Sequence, residues 1–178
     1  TRAAAHWCAR QQVAMLSGTT GLGKEDDEAL RDAALKVPVL WAPNLSRGVA
    51  LTTELVRRAA EALGPQAHAA IADIHHQHKL DAPSGTALAL GAAVKLGFNQ
   101  SVADASTVGN VEPEYSSVRE GEVIGEHTVS FAMPDERIEI THKALDRDVF
   151  ARGALKAGEW LVRQKPGFYS MGDWLALN

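Results

Sequence analysis

The chain of 178 residues has a single cysteine, Cys8, so no internal disulfide can form. A lone cysteine fits a reducing compartment, and a cytoplasmic protein is expected. Cys8 itself reads as a small buried residue on a helix. No basic stripe stands out against a net charge of −4, which argues against nucleic acid as a partner. The longest apolar runs are alanine-rich and broken by charge, far short of a membrane span, so no membrane partner is expected. Residues 1–12 carry Arg2 and Arg10 and no continuous apolar core, unlike a secretory signal. Internal repeats, low-complexity tracts and an H-E-x-x-H pattern are all missing. What remains is an ordinary globular composition, 46% hydrophobic and 22% charged. The length suffices for one good core or two small domains.

Punctuation and periodicity divide the chain into elements. Residues 1–12 read as a helix with Ala4, Trp7 and Cys8 on one side, and 13–17 as a short buried strand that ends in the loop Gly18-Thr19-Thr20-Gly21. A helix over 25–36 has acids in its first turn and a lysine in its last, matching the helix dipole. A strand over 37–41 precedes the turn at Pro43 and Asn44. An amphipathic helix over 45–63 stops at Gly64-Pro65, and a strand covers 67–74. This helix–strand alternation predicts a parallel sheet with crossover helices, whose strand-end loops at Gly18 to Gly21 and Ala42 to Asn44 are candidate cofactor contacts. Further on, a helix is expected over 84–96, capped by Ser84 or Asp81 and ended at Gly97. Short β-prone pieces surround Val108 to Val111. A hairpin pairs 126–133 with 137–143 across Pro134-Asp135-Glu136, a helix covers 148–164, and a short tail begins at Gly167.

The chemistry gathers in one stretch, His75-His76-Gln77-His78-Lys79-Leu80-Asp81-Ala82-Pro83-Ser84-Gly85-Thr86, which holds three of the seven histidines. Adjacent histidines on a strand point to opposite faces, which argues against a shared metal site, and no metal is expected. Proton transfer fits better. An imidazole titrates near neutrality, and the positive charge of Lys79 is expected to lower its proton affinity. Lys79 is also suited to a carboxylate. Ser84, Gly85 and Thr86 open a helix, whose N-terminus favours an anion. Elsewhere the four tryptophans read as core or domain-contact aromatics, Arg147 as a surface arginine, and His127 and His142 as structural or interface residues on the hairpin.

This run, continued to Ala87, resembles the signature of the 4-hydroxy-tetrahydrodipicolinate reductase (dihydrodipicolinate reductase) family. Three further segments agree: Ser17-Gly18-Thr19-Thr20-Gly21, Ala42-Pro43-Asn44-Leu45-Ser46, and Gly125-Glu126-His127-Thr128-Val129 with Glu136 to Ala144. The resemblance covers essentially the whole chain. It implies an α/β protein: the C-terminal part of a Rossmann-type parallel sheet plus an inserted α+β mixed-sheet domain for substrate binding and oligomerisation. Residues 1–46 and 147–178 would belong to the dinucleotide-binding domain and 47–146 to the inserted one. It implies hydride transfer from NADPH or NADH to a cyclic dicarboxylate in lysine and diaminopimelate synthesis, by a homotetramer. Carried over by position, His75 and Lys79 resemble the catalytic residues. His76, Ser84, Gly85, Thr86 and Thr20 resemble the substrate contacts. Gly18, Thr19 and Thr20 with Ala42, Pro43, Asn44 and Leu45 resemble the nicotinamide contacts.

Two features depart from the family's pattern. Its opening strand and G-x-x-G-x-x-G turn do not occur in these residues, so the chain reads as a piece of a longer protein, with weak cofactor binding on its own. Leu45 stands in a loop that often carries an aromatic in the family. The competing reading is a shortened, non-catalytic relative that serves as a diacid-binding or oligomerisation module.

Overall fold

The computed structural model describes residues 1–102 and 111–176. In chain order the elements are α1 (Arg2–Gln11), β1 (Met15–Ser17), α2 (Lys24–Ala34), β2 (Pro38–Trp41), α3 (Arg47–Leu63), β3 (His68–His75), α4 (Gly85–Gln100), β4 (Glu114–Arg119), β5 (Gly125–Ala132), β6 (Arg137–Ala144), α5 (Asp148–Leu161), β7 (Gly167–Tyr169) and α6 (Met171–Trp174). They form two compact units, residues 1–50 with 148–178, and residues 51–147. No helix among the described residues is long and apolar enough to cross a membrane.

The first unit is built on a parallel sheet of order β1-β2-β7. Helix α2 starts where the Asp26 carboxylate accepts the Gly23 amide, with Glu25, Asp26 and Asp27 in its first turn. Its alanine- and leucine-lined face, Ala29, Leu30 and Ala33, packs with Ala5, Met15, Val37 and Val39. A second cluster joins Leu40 and Ala42 to Ala157, Leu161 and Met171. The expected alternation is right for β1 and β2 but not for the third strand. β3 lies in the other unit's sheet, and the third parallel strand is β7, from the stretch read as a tail. Three residues are too few to show a period, so that strand carries no pattern of its own.

The second unit has a four-stranded sheet of order β4-β3-β5-β6, with β3 parallel to β4 and antiparallel to β5, which is antiparallel to β6. The hairpin register sets Val129 opposite Ile140 and Phe131 opposite Ile138. Val56, Ala60, Ile71, Leu90, Val94, Phe98, Val129 and Phe131 make its core.

Helix α4 runs past Gly97 to Gln100 instead of stopping there. The reason is packing. A Cβ on Gly97 would lie 2.3 Å from the Arg57 carbonyl oxygen and 2.6 Å from Ala60 Cβ, so this glycine lets α4 rest on α3. Strand β4 has an exposed, polar sequence without alternation, and the sequence reading did not find it. Of the β-prone residues 108–111, those at 108–110 lie outside the described residues. Gly97→Ala should destabilise the second unit by about 1–3 kcal/mol, read as a lower denaturation midpoint, because backbone rather than a flexible side chain must move.

Candidate functional site

Strand β3 alternates, and its buried face carries Ala69, Ile71, Asp73 and His75 in turn. The apolar members fill the core. The polar ones fall at the strand's C-terminal end, where three other elements meet them. Arg119, the last residue of β4, stands in register with His75. His127 on β5 stands opposite Asp73. Ser84 caps α4 with extended backbone angles and accepts the Ala87 amide on its Oγ at 3.1 Å.

Asp73 is fully buried and fully used. Its Oδ2 accepts the Ser84 amide at 2.7 Å, and its Oδ1 accepts Arg119 Nη1 at 2.6 Å. Burial works to raise its pKa, but the bonds from Arg119 and Ser84 win and hold it at about 2. Arg119 also donates from Nη2 to the Asp81 carbonyl at 2.6 Å. One carboxylate thereby ties β3 to β4, to the start of α4 and, through Arg119, to the loop between β3 and α4.

His75 is 7% exposed. Its Nδ1 lies 3.7 Å from Asp73 Oδ1, too long for a hydrogen bond, and is buried with no other partner among the described residues. Its ring meets His127 edge to face, with centroids 5.0 Å apart. Burial lowers its pKa; Asp73 opposes, and the charges of Lys79 and Arg119 add to the lowering. The expected effect of Lys79 is present, but burial is the larger cause. A Cβ on Gly125 would come within 3.0 Å of His75 Nε2, so the glycine leaves room for this nitrogen.

His76 leaves the strand and is half-buried, its ring 6.3 Å from that of His78. Among the described residues, no group of three or more His, Cys, Asp or Glu side chains is placed to hold a metal ion. A turn brings the Lys79 amide to the His76 carbonyl at 3.1 Å. Lys79 Nζ pairs with Asp81 Oδ1 at 2.7 Å. That hydrogen bond, against a smaller cost of burial and with help from the amides of Asp81 and Gly85, holds the Asp81 carboxyl below its usual range. Asp81 thus occupies the lysine and the helix start together. Gly85 is exposed, and a Cβ there would meet nothing within 4 Å, so the helix start is open on that side; Thr86 beside it is half-buried. Ser84, by contrast, is 2% exposed, with its amide given to Asp73 and its Oγ bonded to His127 Nε2 at 3.1 Å.

His127 joins this network, although its place on the hairpin had marked it only as structural. Burial above all, then the charge of His75, pushes its pKa down to about 4 from 6.5. A base depressed on folding takes up its proton in the unfolded chain first, so stability is full above about 6.5 and falls as the pH drops toward 4. The second unit should lose about 2 kcal/mol between about pH 7 and about pH 5, measured by urea midpoints, and His127→Gln should flatten that slope.

The first unit brings together the other two segments. The loops after β1 and β2 sit side by side because their strands are paired. The Ala42 amide donates to the Ser17 carbonyl at 3.1 Å, and Trp41 Nε1 donates to the Thr19 carbonyl at 2.9 Å. Ser17 Oγ accepts the Thr19 amide at 3.3 Å. Gly18, Thr19 and Thr20 are exposed, and Gly21 has φ +68, in the left-handed region that glycine adopts freely. Pro43 is exposed, while Asn44 turns the chain by accepting the Ser46 amide on its side-chain oxygen at 2.9 Å. Leu45 packs with the cluster around Leu40 and Ala42, and a Cβ on Gly18 would lie 3.1 Å from its Cδ1.

The missed members of the site are Asp73, Arg119 and His127. Asp73 had a signal: an acid two residues before a histidine in an otherwise apolar strand shares its face. Arg119 had none, because β4 shows no pattern to place it.

Residues 48–175 match the family model described as dihydrodipicolinate reductase, C-terminus, and residues 1–45 the one described as dihydrodipicolinate reductase, N-terminus. A 4-hydroxy-tetrahydrodipicolinate reductase of Xanthomonas euvesicatoria is 46% identical over 166 residues, 93% of this chain and 64% of the relative. One from Stenotrophomonas maltophilia is 45% identical over 168 residues, 94% of this chain and 65% of the relative. One from Halorhodospira halophila is 40% identical over 186 residues, 99% of this chain and 70% of the relative. The chain therefore spans slightly less than two thirds of the length of the first two. The solved structure of a dipicolinate-bound dihydrodipicolinate reductase from Paenisporosarcina sp. TG-14 shares the fold, with a TM-score of 0.77 at 21% identity over 95% of this chain and 67% of that one. On these matches, the chain belongs to the dihydrodipicolinate reductase family.

Proposed function

We propose that this chain carries the substrate side of an NADPH- or NADH-dependent reductase that converts 4-hydroxy-tetrahydrodipicolinate to tetrahydrodipicolinate in lysine and diaminopimelate synthesis. The observation that carries this reading is the end of β3. A nearly buried imidazole, His75, ends the strand, and four residues further on Lys79 shares Asp81 with the start of α4. The names of the relatives and the diacid in the related structure's title support the substrate class.

The chain's own residues have separable parts. A substrate carboxylate takes Lys79 over from Asp81 and settles at the start of α4 beside Gly85 and Thr86, where the helix dipole favours it. Ser84 holds that helix start in place from behind. His76, at the mouth of the loop, contacts the diacid. His75 and Lys79 hold and deliver the proton that the reduced ring takes up. Thr20 is assigned a carboxylate contact on the family resemblance.

The nicotinamide cofactor supplies the hydride when bound. Two adjacent strand ends are assigned to its flat ring: exposed Gly18, Thr19 and Thr20 in one loop, and in the other exposed Pro43 with buried Ala42 and half-buried Asn44 and Leu45. In this reading residues 1–46 and 147–178 serve the dinucleotide, and 47–146 serve substrate and oligomerisation. A homotetramer in the cytoplasm is part of the proposal, supported by the family resemblance and the single cysteine.

The test is oxidation of NADPH that depends on added cyclic dicarboxylate, with this chain and with a strand and glycine-rich turn joined before Thr1. Dicarboxylate-dependent oxidation is expected of the extended form; none would overturn the proposal.

A further inference from the structure

We propose that Asp73 is a positioning residue that fixes the tautomer of His75, keeping the proton on Nδ1 and leaving Nε2, beside Gly125, as the nitrogen that gives and takes protons. The groups that face the ring come from four places. Asp73 is on its own strand, Arg119 on β4, His127 on β5, and Lys79 on the loop that follows β3. Of these, only Asp73 is an anion, and it faces Nδ1. A bare Nδ1 would turn a lone pair toward a buried carboxylate at 3.7 Å, whereas an Nδ1–H turns a positive edge toward it. Among the described residues no other partner competes for this atom, which is buried and makes no hydrogen bond.

Asp73 is itself fixed, so the preference is built into the backbone. Its Oδ2 is held by the Ser84 amide and its Oδ1 by Arg119. The same carboxylate therefore sets the ring of His75 and the helix start that receives the substrate's carboxylate. On the other side of the ring, Gly125 keeps Nε2 clear of side-chain bulk. The functional weight of this arrangement rests on the reductase reading; the position of the proton does not.

The test is a nitrogen-15 imidazole NMR spectrum of the labelled chain, titrated with pH, for the parent and Asp73→Asn. Asparagine keeps the shape but must turn its amide NH2 toward either the Ser84 amide or Arg119 and His75. The parent is expected to show His75 as the Nδ1–H tautomer. In the variant the Nδ1–H preference should be lost, and the proton affinity of His75 should fall roughly tenfold, because Arg119 and Lys79 then act unopposed. An Nε2–H tautomer in the parent overturns the proposal, as does a folded Asp73→Asn with a parent-like titration. If the variant does not fold, the parent spectrum alone decides. A protein without reductase activity whose His75 is the Nδ1–H tautomer would remove the reductase reading and leave the positioning role standing.

Discussion

His75→Gln should lower turnover of the cyclic dicarboxylate by about 10²- to 10⁴-fold, the usual effect of removing a positioned proton donor. Glutamine can hydrogen-bond but cannot exchange a proton near neutrality. Glutamine fills a similar space, and among the described residues the ring's Nδ1 has no hydrogen bond that glutamine would need to replace. The loss should therefore fall on kcat, with KM little changed. Lys79→Ala should behave differently. In the proposed function it removes the charge that a substrate carboxylate would take over from Asp81, so KM should rise as well as kcat fall. Steady-state kinetics of both variants in the extended form separate the two roles. Full turnover in both would exclude His75 and Lys79 as the catalytic pair.

Asp73→Ala should destabilise the second unit by about 3–5 kcal/mol, the cost of breaking a buried ion pair from one side. The Arg119 side chain is 17% exposed and would keep its charge without its carboxylate, and the Ser84 amide would lose its acceptor. Removing both charges, as in Asp73→Leu with Arg119→Met, should recover only part of the loss, since the Ser84 amide still has no acceptor. The four tryptophans, at 7, 41, 160 and 174, all belong to the first unit, so their fluorescence does not report this change. Hydrogen exchange of the β3 amides does. Because the Asp73 carboxyl is held at about 2, its share of stability is present above its unfolded pKa near 3.8 and is lost only as the pH falls through about 2. That acid limb lies well below the one assigned to His127.

The two acid limbs show what was legible in the sequence and what was not. His75, Lys79 and the helix start were legible because they are close together in the chain, and a histidine cluster running into Ser-Gly-Thr has few bland explanations. The strand-end loops were legible from punctuation, Gly18 to Gly21 after one apolar run and Pro43-Asn44 after the next. Ser84 was found, but its commitment to Asp73 and His127 was not, because both partners reach it across the sheet. Arg119 sits 46 positions from Asp73, on a strand whose polar sequence has no period. The helix–strand alternation misplaced β3 for a related reason. β3 follows the same rhythm as β1 and β2, so the rhythm alone does not separate it from them; the family resemblance had set residues 47–146 apart, and β3 pairs with β4 and β5. Gly97 misled as a stop because a glycine that ends a helix and one that lets two helices touch look alike in sequence.

The central claim is that Lys79 and the start of α4 form the seat of a cyclic dicarboxylate. Calorimetric titration of pyridine-2,6-dicarboxylate into this chain, beside Lys79→Ala, tests it without the cofactor. Binding to the parent is expected, weakened about 10- to 100-fold in the variant, as for loss of a charge-assisted hydrogen bond. Equal binding to both proteins, or none to the parent, would contradict the account.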